Sequence, residues 1–157
     1  MNKAIVLAVD AKSHISAAAH MTRELCRDSG DKVIVLHVHE FAVGRWGRLQ
    51  VDCGEGEGEA LVRDVVTDLK SAGISAEGEI REARFGHIAG NILEAADEHD
   101  ARIVVIGSGS RADLPHVPFG SVAHRLLHQA RRPVLVVPRP PAAKDAEPQP
   151  EAVAAAP

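Results

Sequence analysis

Short apolar runs alternate along this chain with longer stretches in which apolar residues recur every three or four positions. "KAIVLAVD" (3–10), "KVIVLHVHE" (32–40), "ARIVVIGS" (101–108) and "PVLVV" (133–137) are near-continuous aliphatic runs of strand length. Such runs suit strands covered on both faces, as in a parallel sheet between helical layers. "ISAEGEIREA" (74–83) differs, because Ile74, Ala76, Gly78 and Ile80 alternate with polar residues. That alternation marks a strand with one solvated face, at a sheet edge.

Between the strands lie four helical stripes. Ser13 is a candidate cap for the first, on which Ile15, Ala18, Ala19, Leu25 and Cys26 align with Thr22 as the polar member. Leu61, Val62, Val65, Val66 and Leu69 form the second, with Gly73 as its stop. Ile88, Ile92, Ala95 and Ala96 form the third. Val122, Ala123, Leu126, Leu127 and Ala130 form the fourth, with Ser121 as candidate cap. The resulting β-α-β-α-β-α-β-α-β order predicts an α/β domain over residues 1–138, an open five-stranded parallel sheet with helices on both faces.

Two segments interrupt this rhythm. Residues 41–58, "FAVGRWGRLQVDCGEGEG", read as a long Gly-rich loop carrying the only Trp, a lid or a mobile connection. Residues 139–157, "RPPAAKDAEPQPEAVAAAP", are rich in Pro and Ala without apolar periodicity, the composition of a disordered tail. The 157 residues therefore accommodate one ordinary domain and a tail.

Composition narrows the function classes. The net charge of -4, with three Phe, one Trp and no Tyr, argues against a nucleic-acid surface. No apolar run reaches the length of a membrane span. The opening "MNKAIVLAVDAKS" meets Asp10 too soon for a signal peptide, and Cys26 and Cys53 form no CxxC pair. A cytoplasmic, reduced protein is the expectation.

In an open parallel sheet, ligands bind beyond the carboxyl ends of the strands. Here that directs attention to Asp10, to His37–Glu40, and to "GSGSRADLPHVPFGS" (107–121). Gly107 and Gly109 end a strand, and Gly120 and Ser121 open the next helix. The two halves can close on a polyphosphate with glycine backbone and helix N–H groups, and Ser108, Ser110 and Ser121 add hydroxyls. The lysine of a Walker loop is absent, and no acidic pair flanks the motif to organise Mg²⁺ and water. The pattern suits binding more than hydrolysis.

Other constellations carry less. His37 and His39 share one strand face and could join His14 or His116 at a zinc ion, or else pack under a helix and at the pocket rim. No second HxH or CxxC completes a ligand set, so no metal site is assigned. His124 and His128 lie on a solvated helix face. No G-x-S-x-G elbow supports a serine nucleophile. Cys26 reads as core, and Cys53 as an exposed, redox-sensitive thiol.

Gly107, two residues, Ser110, nine residues, then Gly120-Ser121 resembles the glycine motif of the universal stress protein family. "FGSVAHRLLHQARRPVLVV", "VIVLHVHE", "GHIAGNILEAADEHDARIVVIGS" and the early "VD" extend the resemblance across residues 3–138. The resemblance implies a Rossmann-like sheet of order 3-2-1-4-5, a homodimer joined through Pro133 to Val137, and a stress-response module that binds ATP. AMP or a cyclic adenine nucleotide would use similar contacts, with Mg²⁺ only alongside the nucleotide. It also implies a binding set of Asp10, Val38, Gly107, Ser108, Gly109, Ser110, Arg111, Gly120, Ser121 and Val122. Asp10 would meet the adenosine and the Val38 backbone the adenine edge. Ser110 stands where the family has glycine. Either it distorts the cradle, or Gly109 takes the positive φ and Arg111 supplies charge. A family member that binds no nucleotide and acts through protein partners is the alternative.

Overall fold

The computed structural model describes residues 3–11, 15–109 and 120–138. Its elements, in chain order, are β1 (Ala4–Ala8), α1 (Ile15–Cys26), β2 (Lys32–Gly44), β3 (Gly47–Gln50), α2 (Glu57–Ser71), β4 (Ala76–Arg84), α3 (Ile88–Glu98), β5 (Ala101–Gly107), α4 (Ser121–Gln129) and β6 (Val134–Val137). Strands β4, β2, β1, β5 and β6 lie side by side in parallel, the order expected for the five strands read from the sequence.

The period of two along each strand assigns its side chains to two layers. Val6, Ile34, Leu36, Val38 and Val104 pack beneath α3 and α4 with Ile92, Ala95, Ala96 and Leu126. Ile5, Leu7, Val33, Val35 and Val105 face the other way, onto Ala18 and Cys26 of α1 and Val62, Val65 and Leu69 of α2. Thr22, the polar member of the α1 stripe, is fully buried because its Oγ1 donates to the Ala18 carbonyl at 2.8 Å. β4 lies at the sheet edge, and Ile80, on the apolar side of its alternation, is exposed while Glu79 and Arg81 on the other side are largely covered.

Three expectations are corrected. Residues 41–58 are not a loop: β2 runs on to Gly44 and turns into β3, which pairs antiparallel with it from Phe41↔Gln50 to Gly44↔Gly47. Pairing satisfies the backbone there, and α2 already begins at Glu57. The carbonyls of Glu40 and Phe41 accept from Val51 and Phe85, on opposite edges of β2. β3 therefore lies on the β1 side and prolongs the sheet past the carboxyl end of β1. Second, α4 is capped by extended Gly120, and Ser121 is its first helical residue. Third, Leu127 is exposed. Ser13, Ser110, Arg111 and the tail lie outside the described residues.

One buried charge ties the amino-terminal edge. Asp31 is 5% exposed and accepts from Arg102 and from the Lys3 N–H at 2.9 Å. Burial alone would raise its pKa, but the hydrogen bonds from Arg102, Ser29 and Lys3 outweigh it and hold the carboxyl below its ordinary value. A carboxylate depressed in the folded state contributes stability that is complete above its unfolded pKa and lost as pH falls through the folded one. Urea unfolding measured from about pH 6 down to about pH 3 is therefore expected to show stability falling below about pH 4. Asp31→Asn should flatten that fall while lowering stability at neutral pH. An unchanged pH slope in the variant would refute the assignment.

Candidate functional site

β1 sends the chain to α1 on one face of the sheet, and the adjacent β5 sends it to α4 on the other. A crevice must open where neighbouring connections diverge in this way. It is a cavity of about 480 Å³, within the range that holds a small ligand.

At one end the backbone is arranged for an anion. Ser108 N–H donates to the Val137 carbonyl and Gly120 N–H donates to the Ser108 carbonyl, both at 2.9 Å, so the strand end and helix start are locked together. The first internal bond of α4 runs from His124 N–H to Gly120 O at 3.0 Å. The N–H groups of Ser121, Val122 and Ala123 therefore have no acceptor within the helix, and the Gly120 cap has no side chain to offer them. These donors and the helix dipole favour negative charge at the cavity wall. Glycine permits the close approach: a Cβ on Gly120 would lie 3.3 Å from the Ser108 carbonyl oxygen. Among the described residues of the turn, Gly109 takes a positive φ, at +86°.

Asp10, which follows β1, and Val38 of β2 also line the cavity. Phe85, 70% exposed, lines it beside Gly86. Gly86 is fixed by its N–H to Glu40 Oε1 at 2.6 Å and by the Arg125 guanidinium, which donates to its carbonyl. Thus Asp10, Val38, Gly107, Ser108, Gly109, Gly120, Ser121 and Val122 all border one cavity. Phe85 and Arg125 are additions that sequence reasoning missed. Arg125 was signalled by its place one turn after Ser121, on the same helix face.

His37 and His39 continue the inward series of Val33 and Val35, so both point towards α2 and are buried. The hairpin brings Asp52 and Cys53 against them, neither foreseen as their neighbour. Burial would raise the Asp52 pKa, yet hydrogen bonds from the Cys53 thiol, His39 and His37 take it down to about 2. Burial, then the Asp52 carboxylate, push the Cys53 thiol up to about 11, the opposite of an activated nucleophile. For His39, burial opposes the charge, but Glu59 and Asp52 prevail and raise its pKa. His124 and His128 are exposed, while His14 and His116 lie outside the described residues. No described helix is long and apolar enough to cross a membrane.

Comparisons with known proteins agree with this architecture. A universal stress protein of Methanocaldococcus jannaschii is 27% identical over 145 residues, covering 88% of this chain and 83% of the relative. The solved structure of a universal stress protein from Archaeoglobus fulgidus superposes with a TM-score of 0.66 at 25% identity, over 87% of this chain and 94% of that one. The Archaeoglobus fulgidus protein solved in complex with dAMP gives 0.63 at 25% identity, over 86% and 97%. With the family model matched across residues 1–138, this chain belongs to the universal stress protein family.

Proposed function

We propose that the crevice binds an adenine nucleotide, ATP foremost, and that the chain is a stress-response regulatory module rather than a catalyst. The observation that carries this reading is the start of α4, where the N–H groups of Ser121, Val122 and Ala123 have no acceptor within the helix and lie beside Gly107–Gly109 in a cavity that Asp10 also lines. The phosphates lie at the helix start, the adenosine hydroxyls reach Asp10, and the adenine edge meets the Val38 backbone. Phe85 offers a ring face to the base, and Arg125 brings a cation towards the phosphates. AMP and cyclic nucleotides share the adenine contacts, and the dAMP complex of the Archaeoglobus fulgidus relative supports that class of ligand. Mg²⁺ enters with the nucleotide. The sequence has no Walker lysine, so phosphate release is expected at the protein-free rate.

The test is chemical analysis of nucleotide released from denatured, freshly purified protein, with thermal unfolding in millimolar ATP. Ligand at a hundredfold over Kd stabilises by about 2.7 kcal/mol. Neither bound nucleotide nor a thermal shift would overturn the proposal. The reading through protein partners would then take its place, since the hairpin exposes Val43, Trp46 and Leu49. Light scattering on the same sample should give a dimer, paired through β6, which has only β5 beside it among the described residues.

A further inference from the structure

Outside the crevice, four side chains of metal-ligating type converge on one another. His37 Nδ1 lies 2.9 Å from the Val9 carbonyl, and His39 Nε2 lies 3.0 Å from Glu59 Oε1. A carbonyl and a carboxylate only accept, so each of these ring nitrogens carries the proton. In the neutral rings the other nitrogens, His37 Nε2 and His39 Nδ1, then present lone pairs inward. Both face Asp52 Oδ2, at 3.1 and 3.0 Å, where either a second ring proton or a shared cation must join nitrogen to carboxylate. Cys53 Sγ completes the group, 3.7 Å from His37 Nε2, 4.0 Å from His39 Nδ1 and 3.2 Å from Asp52 Oδ2.

We propose that His37 Nε2, His39 Nδ1, Asp52 Oδ2 and Cys53 Sγ are the four ligands of a structural zinc-class divalent ion. All four atoms lie within 4.8 Å of one another. Tetrahedral ligands at zinc distances are about 3.3–3.7 Å apart. The spacings of Asp52 and Cys53 to each other and to the two rings, 3.0–4.0 Å, are close to that, and the two imidazole nitrogens, within 4.8 Å of each other, would draw together on the ion. Two imidazoles, a carboxylate and a thiolate form a donor set of the kind that borderline-soft zinc takes. Two anionic ligands cancel the double charge, which makes the buried site neutral.

The surroundings are those of a ligand shell. The Val9 carbonyl and the Glu59 carboxylate hold the outer N–H of each ring, orienting the imidazoles as outer partners of metal-bound histidines do. The Asp52 side chain is 9% exposed, and its buried Oδ1 has no hydrogen-bond partner. Gly58 lets α2 close down on the rings, since a Cβ there would lie 2.3 Å from His37 Cδ2 and 2.7 Å from His39 Cε1. Gln50 Nε2 also reaches His39 Nδ1 at 3.2 Å, and with an ion bound it retains the Cys53 carbonyl at 3.1 Å. The ion would fasten β2 to the segment after β3, next to the start of α2.

The experiment uses full-length, nucleotide-free protein carrying His124→Gln and His128→Gln, which removes the exposed imidazole pair as an adventitious binder. After chelator treatment, Zn²⁺ uptake is measured by elemental analysis and Co²⁺ uptake by absorption. Expected are about one equivalent per chain, intense tetrahedral cobalt bands and a thiolate-to-cobalt charge-transfer band. Cys53→Ser should abolish the charge-transfer band and weaken binding at least about tenfold, with circular dichroism confirming the fold. His39→Gln should lose the ion, and zinc should raise the Tm of the parent protein only. No uptake by the parent, a cobalt spectrum without the charge-transfer band, or uptake indifferent to both variants would overturn the site. None of these readouts involves nucleotide, so this proposal and the crevice reading fail separately.

Discussion

Gly120→Val is expected to eliminate the thermal shift produced by ATP while leaving the unliganded protein folded. Gly120 has φ -64° and ψ 162°, extended backbone that valine adopts without strain. The cost falls on the cradle. A Cβ would lie 3.3 Å from the Ser108 carbonyl oxygen and 3.7 Å from Gly109 Cα, and the two γ-methyls would extend beyond it. The side chain fills the space through which phosphate oxygens approach the N–H groups of Ser121, Val122 and Ala123. Losing charge-assisted hydrogen bonds from two such donors, at about 1.5–3 kcal/mol each, weakens binding at least a hundredfold. Titration calorimetry with ATP on both proteins is the check. An unchanged affinity would place the phosphates elsewhere in the crevice.

Gly58→Ala should lower stability by about 2–3 kcal/mol, which for a domain of this size is a Tm loss of about 10 °C. The sign is what makes the prediction sharp, because Gly→Ala within a helix ordinarily stabilises. Gly58 is buried in the first turn of α2, and its added carbon would sit 2.3 Å from His37 Cδ2 and 2.6 Å from His37 Nε2. His37 has little room to yield, since its Nδ1 is bonded to the Val9 carbonyl. Gly90 in α3 is the internal control: a Cβ there meets nothing within 4 Å, so Gly90→Ala should stabilise by about 0.5–1 kcal/mol. Urea unfolding of both variants decides the matter. Equal effects at the two positions would show that α2 does not press on the imidazoles.

These two glycines divide what sequence reading reaches from what it does not. Gly120 was legible, because strand, glycines, spacer and helix follow one another along the chain. The glycine-rich wall of the crevice comes from consecutive pieces of chain whose order implies their geometry. Gly58 was not legible, because what it touches lies on another element and its own neighbours are acidic and glycine-rich.

The same division holds for the fold. Strand and helix periods are local, so the five parallel strands, the four helices and the two-sided core were all written in the alternation of apolar residues. Pairing across the chain is not local. Gly44, Arg45, Trp46 and Gly47 have the composition of a loop, yet the edge of β2 beyond the end of β1 was open, and β3 occupies it. That one reversal carried Asp52 and Cys53 back alongside His37 and His39, against the start of α2. The pattern of residues was enough for the sheet, the helices and the meeting of the glycine-rich strand end with the start of α4. The gathering of two histidines, a carboxylate and a thiol came from long-range antiparallel pairing, which no local period encodes.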